Sequence, residues 1–202
     1  MKINLFVNYY QDKSSERQKE IDHCFIQNYK NKLINVVNLE SQDRVLFSHF
    51  FRMANKMTGS NDINIIANSD IFFDESIQLT KHLESNEAWC LTRWDLQSNL
   101  QTSSAIFMNN GLGRADSQDS FIWRGRISDE VIKDSEFVLG FRGSDNRICR
   151  IFHDHGYKVS NPSKTIKSYH HHITGLRNYD QSSKFLVPGP YLPVHPTDLD
   201  HR

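Results

Sequence analysis

Asp70 closes the segment INIIANSD, in which an apolar strand-like run delivers the polar triplet Asn68-Ser69-Asp70. A carboxylate at a strand terminus can hold a divalent cation that in turn grips a diphosphate. The alternative is that Asp70 caps the turn that follows. Far along the chain comes Tyr169-His170-His171-His172. In an extended segment successive side chains alternate sides, so His170 and His172 share one face and His171 takes the other. Neutral imidazoles on such a face can ligate a metal; surface histidines near a chain end are the plainer reading. In a third segment, Gly140 and Gly143 frame a loop that ends in Ser144-Asp145-Asn146. It runs into a helical pattern with Ile148, Ile151 and Phe152 on one face. The partial positive charge of a helix N-terminus favours an ionised Asp145, ready to accept a hydrogen bond, and helix capping explains the residue equally well. Glycines in the loop permit close approach of another molecule to the backbone.

Two smaller groups belong with these. Ser117-Gln118-Asp119-Ser120 precedes Phe121-Ile122-Trp123, which reads as a polar substrate wall with Trp123 as a sugar-stacking platform, or as an aromatic core position. Arg93, in LTRWD, can pair with a phosphate or with Asp95.

The elements that must position these groups follow from hydrophobic period. Residues 2–7 read as a strand feeding a polar loop, with Ser14 or Ser15 capping a helix over 16–29 whose apolar positions are Ile21, Cys24, Phe25 and Tyr29. A strand follows at 33–39. Residues 44–57 place Val45, Leu46, Phe50, Met53, Ala54 and Met57 on one helical stripe ended by Gly59. Further strands fall at 63–67, 88–92, 104–108 and 157–159, with a helix over 143–155. Strands alternating with helices of this length predict an α/β sandwich whose sheet is at least partly parallel. Ligands of such sheets sit beyond the carboxyl ends of the strands, which directs attention to residues 8–12 and 68–70. The donor contacts expected near Asn8, Tyr9, Tyr10 and Arg44 rest on that topology.

Composition bounds the chemistry. The 202 residues are 38% hydrophobic and 24% charged, with 24 Lys+Arg against 24 Asp+Glu. A chain of this size buries enough surface to fold as one domain without a disulfide or metal staple. The zero net charge provides no global field for nucleic acid or membrane. No apolar run reaches the length of a signal-peptide core or a membrane span, so a cytoplasmic protein is expected. Cys24, Cys90 and Cys149 are odd in number, far apart and without a CxxC pair, which fits small buried side chains rather than a disulfide framework. Four of the five prolines lie in residues 187–202, predicting an extended tail.

Taken in order, the pieces resemble the GT-A fold glycosyltransferases, the nucleotide-diphosphosugar transferases. Asn68-Ser69-Asp70 is similar to their DxD motif, with Asp70 at the second acidic position, and residues 140–145 resemble the glycine-rich loop of inverting members that ends in a Glu-Asp pair. ANSDIFFDE, LTRWD, SQDSFIWRG, GSDNRI and NPSKTIKSYHHH are more closely similar to a bacterial and viral group described as glycosyltransferase-like, over residues 2–179. Asn68 stands where the family has its first Asp, and Ser144 where it has Glu.

The resemblance implies a single three-layer α/β/α domain with a mainly parallel central sheet over 1–186, followed by the tail. It implies Mn2+ or Mg2+ held by Asp70 with His170 or His172, and a nucleotide-diphosphate sugar donor, UDP by family frequency. Asn8, Tyr9, Tyr10, Arg44, Asn68, Ser69 and Arg93 would meet the donor. Asp119, Trp123, Ser144 and Asn146 would meet the acceptor, and Asp145 would act as general base with inversion at the anomeric carbon. The acceptor is left open among glycan, lipid-linked sugar, protein and modified DNA base. Two other classes compete: a metal-dependent phosphoesterase or nuclease that gathers Asp70, Asp119, Asp145 and the histidines around one or two ions, and a non-catalytic sugar-binding module.

Overall fold

A computed structural model describes residues 1–96, 103–105, 114–176 and 186–199. The chain opens with β1 (Ile3–Val7), α1 (Ser15–Lys30) and β2 (Ile34–Asn38). Ser14 is the cap of α1, its side chain accepting from the Arg17 N–H. The buried stripe of α1 runs through Arg17, Ile21, Cys24 and Asn28, while Tyr29, expected on that stripe, is 77% exposed. Asn28 belongs to the stripe because its amide is satisfied in the interior: it donates to the Ile71 carbonyl and accepts from the Phe73 N–H.

Next comes α2 (Phe47–Met57), three residues shorter at its start than the expected 44–57, which leaves Arg44 on the preceding loop. It buries Phe47, Phe50, Phe51 and Ala54 and exposes Met57, so the apolar stripe is rotated from the expected one. Then β3 (Ile63–Ala67) leads through a turn to β4 (Ile71–Phe73) and a 3-10 helix over Glu75–His82 capped by Asp74. The chain continues with β5 (Glu87–Leu91), β6 (Trp94–Leu96), β7 (Ser103–Ala105), β8 (Ser120–Arg124), α3 (Asp129–Asp134), α4 (Ser144–Asp154), β9 (Lys158–Ser160) and β10 (Ser168–His170). β7 overlaps the strand expected at 104–108, of which residues 106–108 lie outside the described residues. β9 begins one residue later than expected.

Six strands form the main sheet in the order β2-β1-β3-β8-β5-β9. All neighbours are parallel except at β8, which runs against both β3 and β5. The sheet is therefore mostly parallel, as expected. β3 and β5 are buried along their whole length, which is why, apart from Asn64 and Glu87, they read as apolar runs instead of alternating ones. One face packs Phe6, Ile66, Phe121 and Trp123 against α2, α3 and α4. The other packs Leu5, Ile65, Trp89 and Ile122 against Ile71, Phe73 and Ile77 of β4 and the 3-10 helix, with Phe25 of α1 alongside.

That second face departs from the expectation of helices on both sides. Part of its cover is a four-stranded sheet, β4-β10-β6-β7, which the periodicity of such short strands did not reveal. Within the main sheet, Asn4 pairs in register with Asn35 and Asn64 on its two neighbours. Asn35 donates to the Asn4 carbonyl oxygen, Asn4 to that of Asn64, and Asn64 to the Gly125 backbone carbonyl.

The tail is extended and carries no regular element over 187–199 apart from a single 3-10 residue, but it is not detached. Its Val187, Leu192 and Val194 N–H groups donate to the carbonyls of Arg142, Asn146 and Ala115, and Thr197 donates to Asn161. Val187 and Leu199 are buried. No described helix is long and apolar enough to cross a membrane.

Candidate functional site

The parallel strands end on one side of the sheet, where their following loops surround a cavity of about 570 Å³. Asn8 and Tyr10 follow β1, Asn68-Ser69-Asp70 follow β3, and Arg93 follows β5. β8 runs the opposite way, so its start, not its end, reaches this side: Ser120 pairs with both Ala67 and Leu91, and residues 117–119 line the cavity. The same reversal carries Trp123 away. It pairs with Asn64 and Ala88 inside the sheet, is fully buried against Phe51, and donates its indole N–H to the Gly125 carbonyl. Trp123 is therefore a core residue and not a sugar platform.

In the wall of this cavity Asp70 meets the histidines. His170 Nε2 lies 3.2 Å and His172 Nδ1 3.9 Å from Asp70 Oδ2. His170 and His172 indeed share a face, and the donor atoms of all three residues lie within 4.8 Å of one another. Asp70 does not cap the turn after β3; its side chain pairs instead with Arg17 of α1 and with His170. Asp95 accepts from the other side, 2.6 Å from His170 Nδ1, and so fixes the ring and aims Nε2 at Asp70.

Burial disfavours the Asp70 carboxylate, but the charges of His170 and Arg17 outweigh it and hold the group well below the usual carboxylate range. Burial likewise pulls the His170 imidazolium down, while Asp70 and Asp95 lift it to about 9. Burial and the Arg17 charge push the His172 imidazolium down from its ordinary value. Asp70 Oδ1 is buried with no hydrogen-bond partner. A buried carboxylate oxygen without a donor is costly, and a cation is the simplest group to satisfy it. The residues present therefore fit a metal, and a donor set of one carboxylate and two imidazoles suits manganese better than magnesium.

Asp145, which also lines the cavity, lies in the first turn of α4. The helix cap itself is Gly143, which has no side chain, so Asp145 is not the capping residue. Its Oδ2 accepts from the Gln118 N–H at 3.3 Å. Burial and the neighbouring Asp119 carboxylate push Asp145 up to about 7. The helix-terminus field expected to keep it ionised is thus outweighed, which leaves a carboxyl poised to exchange a proton near neutrality.

The glycines of this loop are required by what packs on them. Gly143 has φ +83, and a Cβ there would come 3.0 Å from the Val187 carbonyl oxygen and 3.1 Å from the Tyr191 ring. Gly140 has φ +80, and its Cβ would lie 3.2 Å from the Arg44 guanidinium and 3.5 Å from Asn68 Oδ1. Close approach is real, but the nearest partners are the protein's own tail and Arg44. Gly143→Ala is expected to cost about 1–3 kcal/mol in urea denaturation, from a strained φ together with displacement of the tail. An unchanged midpoint would mean that the tail does not depend on this contact.

The remaining expected residues divide into two groups. Asn8, Tyr10, Arg44, Asn68, Ser69, Arg93, Asp119, Ser144 and Asn146 all line the cavity. Several of them are also engaged with each other. Asn68 donates to Asp119 Oδ1, and Arg93 donates to Asp119 Oδ2, Asp95 and Ser117. Asn68 therefore takes no part in the metal cluster, and Arg93 already meets two carboxylates. Asn146 donates to Gln118 and accepts from the tail, so it braces the cavity wall. Tyr9 does not line the cavity; its hydroxyl donates to Asp22 and its ring packs on Phe25.

Sequence reasoning missed Arg17 and Tyr191, which line the cavity; it had Gln118 in the polar wall that does line the cavity, and Asp95 as a partner of Arg93 but not as the group that holds His170. Arg17 carried a signal, since it precedes Ile21 and Cys24 at helical spacing, and a cation on a buried stripe must have an acid to meet. No protein-family model matches the chain, and no curated protein matches it.

Proposed function

We propose that this protein is a metal-dependent glycosyltransferase of the GT-A type, moving a sugar from a nucleotide diphosphate to an acceptor hydroxyl with inversion. The observation that carries the reading is that one cavity is lined by two unlike acidic groups: Asp70, whose carboxylate converges with the donor atoms of His170 and His172, and Asp145, a buried carboxyl raised to about 7. Bound by Asp70, His170 and His172, a divalent cation would supply positive charge for a departing diphosphate.

Asp70 and Asp95 present the His170 ring, whose Nε2 would give up its proton to solvent to hold the cation. Arg17 and Arg44 add cationic groups to the same walls. Asp145 accepts the proton of the acceptor hydroxyl as that oxygen attacks the anomeric carbon from the face opposite the leaving group. The cavity volume is that of a small-molecule site.

The phosphoesterase alternative is less well supported, because only one carboxylate joins the histidine cluster among the described residues, whereas two-metal hydrolysis needs several. The deciding experiment is a thermal-shift titration with UDP and GDP, with and without manganese, followed by mass spectrometry of nucleotide-sugar turnover against an acceptor panel. Stabilisation by nucleotide only with manganese, then transfer, supports the reading. Phosphate release from a generic ester with no nucleotide effect would replace it.

A further inference from the structure

His171 faces away from the Asp70 cluster, and what it faces is chemically suggestive. Its Nδ1 lies 2.8 Å from Nδ1 of His23 on α1, and the rings meet edge-on with centroids 4.7 Å apart. Cys24, the next residue of α1, is fully buried beside them, and donor atoms of His23, Cys24 and His171 all fall within 4.8 Å of one another. His171 is also buried, whereas His23 is only partly so, which leaves a path from solvent. Two imidazole nitrogens and a thiol form a soft donor set, unlike the carboxylate-containing set on the opposite side of the same histidine run.

We propose that His23, Cys24 and His171 form a second metal site, selective for zinc or a similar soft divalent ion. Binding is ligand exchange without redox. The Cys24 S–H bond breaks, its proton goes to solvent, and the thiolate sulfur forms the metal bond alongside one nitrogen of each imidazole. Tetrahedral coordination at ordinary zinc–nitrogen lengths sets the two nitrogens about 3.3 Å apart, so a small rotation of the half-exposed His23 ring opens the pair enough. Water completes the coordination. The site would tie α1 to the segment carrying His170 and His172. His171 is already linked by its backbone to the other cluster, since its N–H donates to the Asp70 carbonyl and its own carbonyl accepts from Arg17.

The test uses cobalt(II) as a probe on the full chain after chelator treatment. One equivalent should produce the near-ultraviolet thiolate-to-cobalt charge-transfer band, and zinc should abolish it by competition. Cys24→Ala should lose the band while retaining a cooperative thermal melt. His23→Gln, at a half-exposed helix position, should fold normally and weaken cobalt binding at least about tenfold. His172→Gln, which removes a donor from the other cluster, should keep the band, which separates this site from the one invoked for transfer and makes the two readings fail independently. Absence of the band in the parent, its survival in Cys24→Ala, or unchanged cobalt affinity in His23→Gln each overturns the proposal.

Discussion

Asp145→Asn is expected to cut sugar transfer by about 10²–10⁴-fold while leaving manganese-dependent nucleotide binding at the parent level. The amide keeps the shape of the carboxyl and loses its ability to take a proton, and Asp145 is not one of the converging metal donors. The parent's kcat/KM should fall roughly tenfold per pH unit below about 7, since only ionised Asp145 serves as base. Stability runs the other way. Burial and Asp119 raise the folded pKa from 3.8 to about 7, so the native state disfavours the charged form and stability is lost as pH climbs through that window. Asp145→Asn should therefore melt a few degrees above the parent near pH ~8 and no higher near pH ~4. Parent-level turnover in the variant would remove Asp145 from the chemistry, and an unshifted melting curve would mean that the carboxyl is better solvated than its surroundings indicate.

Asp70→Ala is expected to abolish the manganese dependence of UDP or GDP binding, measured by isothermal titration calorimetry. The change also strips Arg17 and His170 of their shared acid, leaving Arg17 with Glu20 and His170 with Asp95, and breaking a buried pair costs up to about 3–5 kcal/mol. Lost binding could then reflect damage to the fold. His172→Gln removes one donor atom from a residue with no short ion pair, so it should keep a parent-like melt and still weaken manganese binding. Unchanged manganese affinity in both variants would move the metal elsewhere.

The sequence carried this convergence only in part. Asp70 was legible because a strand apolar at all but Asn64 ends in three polar residues, and the shared face of His170 and His172 because an extended segment alternates. The path of β8 was not. Its direction decides that Asp119 reaches the cavity and Trp123 does not, yet a strand's direction leaves no trace in its own composition. The roles of Asp95 and Arg17 were hidden for a related reason, since neither the His170 that Asp95 holds nor the Asp70 that Arg17 meets is near it in the chain. The second, smaller sheet escaped because strands of three residues show no measurable period.

Asn4, Asn35 and Asn64 hold the three leading strands at matched height. Parallel strands rich in Ile and Val can slide against one another at little loss of apolar contact, since one branched side chain substitutes for the next. Sliding by a single residue here would strand the buried amides of Asn4 and Asn64 without partners, at about 1–3 kcal/mol for each orphaned group. The row of amides thus works as a vernier. It sets how far each strand protrudes at its far end, where Tyr10 and Asp70 emerge, and it does so from the opposite rim of the sheet without touching anything that the cavity holds.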